Sequence, residues 1–149
     1  IRQRFPSQAA GIRTLLTKND SVKLMVKVIQ REGLDSSTME GMMAYWFGQA
    51  WAVSNQQPLP TAQQYQGIAA QIRTSIGKSS KISQLSNTKR QIFFEELAYR
   101  LIEQRVTYQQ ALKLGDTAST AEIARQSQAG LTKLGLNFKG KRLNDNGFQ

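Results

Sequence analysis

The sequence contains neither cysteine nor histidine. Without cysteine there is no disulfide framework, no thiol nucleophile and no thiolate ligand for a metal. The redox compartment stays open, because exported and cytosolic chains alike can lack cysteine. Without histidine the chain loses the commonest general base near neutral pH and the commonest zinc ligand. Every Ser-His or Cys-His nucleophile pair goes with it. Carboxylates are scarce too: 10 Asp and Glu stand against 20 Lys and Arg, a formal charge of +10. No acid falls between Glu40 and Glu95, while Arg73, Lys78, Lys81, Lys89 and Arg90 all do. A second acid-free stretch runs from Arg125 through Lys133, Lys139, Lys141 and Arg142. Neither G-x-x-x-x-G-K-[ST] nor G-x-G-x-x-G occurs, so no glycine-rich phosphate cradle is expected. Alternating β-branched runs, internal repeats and low-complexity segments are also missing.

What remains is 149 residues with 40% apolar content, the size of one domain. Such a chain buries roughly two thirds of its unfolded surface and folds without staples. One helical domain over 1–149 is expected, with a flexible Ser/Lys-rich linker, GKSSKISQLSN, at 77–87. The chain opens on Ile1 with no charged leader before an apolar core, which suggests a mature or truncated product.

Apolar spacing predicts an all-α bundle of five or six helices with an irregular C-terminal tail. A loose segment covers Ser7 to Lys18. Asp20 is the expected cap of SVKLMVKVIQRE, with Val22, Met25, Val26 and Ile29 on one face and Gly33 as its stop. Ser37 to Glu40 reads as a capping box, opening a helix that runs to about Asn55 before Pro58 and Pro60. Thr61 starts a fourth helix ending at Gly77. The fifth, from about Thr88 to Leu114, carries a stripe of Phe93, Leu97, Leu101, Tyr108 and Leu112, widened by Phe94, Ala98 and Ile102. Glu96 and Arg100 are an expected surface pair on its flank. Ser119 is the expected cap of the last helix, which stops at Gly135. The tail, LNFKGKRLNDNGFQ, is rich in turn residues and spaces out Phe138, Leu143 and Phe148.

The uncharged stretch MMAYWFGQAW, Met42 to Trp51, holds both tryptophans. A membrane span needs about 20 apolar residues, and Glu40, Gln49 and Asn55-Gln56-Gln57 cut this one short. Apolar residues surround most of its helical circumference, and Gly41, Ala44, Gly48 and Ala52 form a small-residue strip. Both features describe a core helix approached closely by its neighbours. Tyr45, Trp46 and Trp51 are its candidates for lining a pocket.

Two carboxylates can hydrolyse a glycoside without histidine, and Glu40 beside the aromatic helix is the one acid that invites this idea. Its expected place in a capping box explains it without catalysis. Glu95, Glu96 and Glu103 lie near Arg100 and Arg105 and read as surface pairing. Asp145, between Asn144 and Asn146, offers too few oxygens for a calcium loop and reads as a turn. No catalytic residue, metal site or cofactor is expected. The excess cations favour an anionic partner, with Arg73, Lys78, Lys81, Lys89, Arg90, Lys139, Lys141 and Arg142 as candidates. Nucleic acid would be held by phosphate contacts alone, since no base-reading element is recognisable.

AYWFGQAW and the ending LTKLGLNFKGKRLNDNGF, with its LGL-x-F step and terminal Gly-Phe, resemble an uncharacterised bacterial family of unknown function found mostly in exported proteins. The likeness runs from the aromatic helix to the Gly-Phe end. It implies a helical domain and export to the periplasm or medium, and brings no catalytic residues; a cytoplasmic location stays open. The function expected is therefore a non-enzymatic exported bacterial domain that binds another protein or an anionic envelope component. The alternatives are a nucleic-acid-binding accessory protein and a histidine-free hydrolase of cell-wall glycan. Oligomeric state is not legible.

Overall fold

A computed structural model describes residues 18–76 and 86–149. The described chain is all-α, with α1 at Lys18–Arg31, α2 at Met39–Ser54, α3 at Ala62–Gln71, α4 at Asn87–Lys113 and α5 at Thr117–Lys133. A π-helical turn, Ile72–Ile76, continues α3, and a two-stranded antiparallel hairpin closes the chain, β1 at Leu143–Asn144 and β2 at Gly147–Phe148. The expected helix over Ser7 to Lys18 and linker residues 77–85, with Lys78 and Lys81, lie outside the described residues. The last two linker positions belong to α4: Ser86 caps it by accepting from Lys89 N–H, and Asn87 is its first residue.

Three helices stop at glycine in the same way. Beyond α1, Leu34 N–H reaches Ile29 O and Gly33 N–H reaches Gln30 O, with Gly33 at φ +77°. The paired bonds satisfy terminal carbonyls and require a left-handed residue. Gly115 after α4 and Gly135 after α5 repeat the pattern. At the end of α2 the left-handed position is Gln56, at φ +53°.

Three cap expectations are corrected. Asp20 does not cap α1 but lies inside its first turn, because the helix already begins at Lys18. Thr38, not Ser37, caps α2: its hydroxyl accepts from Gly41 N–H, while the Ser37 hydroxyl donates to Asp35. Glu40 is therefore in no capping box and lies 3.3 Å from Arg73 Nε instead. Asp116, not Ser119, caps α5, and Ser119 sits buried one turn in, donating to Asp116 at 2.6 Å. At both α2 and α5 more than one capping oxygen lies within three residues of the helix start, and spacing alone does not say which accepts from its N–H groups. The box that does form joins Thr61 and Gln64 at the start of α3. Glu96 and Arg100 make no ion pair among the described residues.

α2 occupies the middle and touches all four other helices. From Met43 to Val53 only Trp51 rises above the buried class. Gly48 is what lets α3 come close, since a Cβ there would collide with the Tyr65 ring. The small-residue strip expected from the sequence thus meets a neighbour at this position. Rings run in contact from α4 through α2 to the tail: Phe94, Phe93, Trp46, Phe47, Phe138 and Phe148, with successive centroids 5.1 to 5.8 Å apart. The tail is thereby drawn into the core by Phe138 and Phe148. No helix among the described residues is long and apolar enough to cross a membrane.

Candidate functional site

The core around α2 contains a polar network that no sequence pattern announces. Tyr45 is fully buried and stacks on Tyr65, with centroids 5.4 Å apart. Its hydroxyl donates to Gln49 Oε1 at 3.1 Å and accepts from Arg105 Nη1 at 2.7 Å. Gln49 spends its two N–H bonds on Leu101 O and Gln104 Oε1, both at 3.0 Å. Arg105 also reaches Glu32 at 3.5 Å. Burial pushes the Tyr45 hydroxyl up to about 12 against a smaller opposing pull from Arg105. Tyr65 is raised further, again by burial, and its hydroxyl has no partner among the described residues. The network ties α1, α2 and α4 together and leaves little of Tyr45 for a ligand. Of the three aromatic pocket candidates, Tyr45 is the one buried in this network, and it lines no cavity found among the described residues.

Trp46 does border a cavity. α4 and α5 form an antiparallel pair joined through Gly115, and between them runs a groove of about 980 Å³. Its floor holds Trp46 and Ala50 of α2 with Leu101, Ile123 and Leu131, and Leu134 at one end is 57% exposed. Three carboxylates line it, Glu96, Glu103 and Glu122, against one cation, Arg100. Hydrogen bonds from Arg125 and Gln126 hold the Glu122 carboxyl down at about 2, so it is ionised throughout the physiological range. Gly130 opens onto the groove, and a Cβ there would meet nothing within 4 Å.

Trp51 borders a separate shallow hollow of about 430 Å³, with Asn55, Gln57, Gly140, Lys141, Arg142 and Leu143. Its indole N–H donates to Lys141 O at 2.8 Å. Two independent expectations, an aromatic pocket residue and a cationic tail, thus coincide in space. The remaining cations do not join them. Arg73 pairs with Glu40 at the far end of α3, and Lys89 and Arg90 lie in the first turn of α4. Glu40 lines neither cavity, and no cluster of three metal-ligating side chains occurs among the described residues.

The chain belongs to a family of unknown function, DUF6683, whose model matches residues 3–149. No curated protein and no solved structure matches it.

Proposed function

We propose that this member of the DUF6683 family is a non-enzymatic, exported bacterial helical domain that binds a protein segment between α4 and α5. The lining of the groove carries this reading. An apolar floor flanked by charge is how grooves receive the apolar face of an amphipathic helix. In a chain of net charge +10, three of the ten acids are gathered in this one lining; Glu122 is paired with Arg125, so the negative rim rests on Glu96 and Glu103. Such a rim favours a segment whose apolar stripe is flanked by Lys or Arg and disfavours an acidic one. The non-enzymatic part rests on the lack of histidine and cysteine and on the pairing of Glu40 with Arg73. The exported, bacterial part rests on the resemblance of the aromatic helix and Gly-Phe end; a precursor without a cleaved leader would remove it.

Gly130→Leu supplies the test. It fills the groove where a side chain has room, and it replaces an exposed helical glycine, a change worth roughly 0.5–1 kcal/mol of added stability. Calorimetry with a synthetic Leu-striped helical peptide flanked by Lys should show binding to the unmodified protein. The same peptide flanked by Glu should bind about tenfold more weakly. Gly130→Leu should abolish binding with an undiminished unfolding midpoint. Equal binding by Gly130→Leu, or no preference between the peptides, refutes the assignment.

A further inference from the structure

The loop from Phe138 to Arg142 is held by two side chains one turn apart, Trp51 in α2 and Asn55 at its C-cap. Asn55 accepts from Gly140 N–H at 2.7 Å and donates to Phe138 O at 2.9 Å, while Trp51 donates to Lys141 O at 2.8 Å. A further bond from Gln149 N–H to Arg142 O at 2.9 Å fixes its far end. Three of its residues are cations, Lys139, Lys141 and Arg142; all are exposed, and none forms an ion pair among the described residues. Anchoring of this kind removes most of the ordering cost that a mobile basic loop incurs on binding.

We propose that Trp51, Lys141 and Arg142 form a binding site for a phosphorylated sugar. The indole N–H is already engaged by the loop, so what Trp51 offers to the hollow is its ring. An aromatic face carries negative potential, which suits the weakly positive C–H face of a sugar ring. Leu143 extends that apolar patch. Lys141 and Arg142 border the same hollow, and a guanidinium matches phosphate oxygens bidentately while an ammonium adds point charge. The hollow is of a size to hold a single ring with its substituent rather than a folded partner. The ligand is a sugar phosphate, free or as one unit of a phosphosugar polymer. This site is separate from the groove between α4 and α5 and stands if that assignment fails.

The test follows the two indole N–H resonances of the whole protein during titration. Glucose 6-phosphate should move the Trp51 signal and leave that of Trp46 in place. Glucose alone and inorganic phosphate alone should each bind at least about tenfold more weakly. Lys141→Ala and Arg142→Ala should each weaken glucose 6-phosphate roughly five- to tenfold, a charged contact of about 1–1.4 kcal/mol, while Lys113→Ala, the same charge change elsewhere, should not. Phosphomannan fragments binding more tightly per unit than glucose 6-phosphate would identify a polymer as the source; equal binding would identify the free sugar. An unmoved Trp51 signal overturns the proposal, as does inorganic phosphate matching the sugar phosphate. Tighter binding of a single-stranded oligonucleotide would likewise overturn it, in favour of nucleic acid.

Discussion

Gln71 and Phe148, 77 residues apart, bond to each other in both directions. Gln71 Oε1 accepts from Phe148 N–H at 2.7 Å, and Gln71 Nε2 donates to Phe148 O at 2.8 Å. The carboxamide at the end of α3 does for β2 what a neighbouring strand would do, supplying a donor and an acceptor to one residue's edge. A hairpin of two residues per strand is too short to stand alone, and this side chain is a main reason that it stays docked.

Replacing that carboxamide should therefore release the hairpin. Gln71→Ala leaves a partly buried N–H and carbonyl unmet, at about 1–3 kcal/mol. Denaturant unfolding should report that loss, and amide exchange at Phe148 should accelerate well beyond exchange in α4. Unchanged protection at Phe148 would show that the ring packing of Phe138 and Phe148 suffices.

Gly67 offers a second approach to the same contact. A Cβ there would run into the backbone of Asp145, Asn146 and Gly147. Gly67→Ala should destabilise by about 1–3 kcal/mol despite its better helix propensity, because rigid backbone has to move. Gly130→Ala, with nothing nearby, should stabilise by up to about 1 kcal/mol. Thermal melts of the two variants should shift in opposite directions.

The two stacked tyrosines should respond oppositely to loss of their hydroxyls. Tyr45→Phe removes the partner of Gln49 and Arg105 and should lose about 1–3 kcal/mol. Tyr65→Phe removes a buried hydroxyl that has no partner among the described residues and should be neutral or stabilising by about 1 kcal/mol. Equal destabilisation by both would mean that the Tyr65 hydroxyl is satisfied.

Alkaline pH should unfold the protein through these same groups. Burial raises Tyr45 and Tyr108 from an ordinary 10.0 to about 12. Between those values the unfolded chain holds fewer protons than the folded one, so stability falls as pH rises. The contribution is whole below pH 10 and gone above about 12. Tyrosinate absorbance should rise together with loss of helical dichroism, and in Tyr108→Phe the decline with pH should be shallower.

Helix placement was largely legible because it rests on local signals. Glycine stops, the periodic face of α1 and the uncharged circumference of α2 each act within a few residues. Caps were less legible: Asp35, Ser37 and Thr38 compete for one helix start, and spacing does not say which oxygen wins. The Tyr45–Gln49–Arg105 network was invisible. A lone glutamine inside an apolar helix reads as an interruption until the chain brings Leu101 and Gln104 to it. The aromatic pocket expectation separated into three outcomes for one reason. Tyr45, Trp46 and Trp51 point to different sides of α2, and only the packing of α4 and of the tail decides which sides stay open. Lys141 and Arg142 were recognisable as cations, but their meeting with Trp51 depends on a contact across 90 residues.

The pairing of Gln71 with Phe148 also sets a timetable for the chain as it is made. At roughly 5–20 residues per second on the ribosome, the 77 residues that follow Gln71 up to and including Phe148 take on the order of 4–15 seconds to appear. For that interval the end of α3 and the Phe47 ring wait without their partners from the tail. The nascent protein therefore presents apolar surface during synthesis that the finished fold conceals. Pulse-labelled chains halted after α5 should bind holding chaperones, and chains extended through Phe148 should let them go.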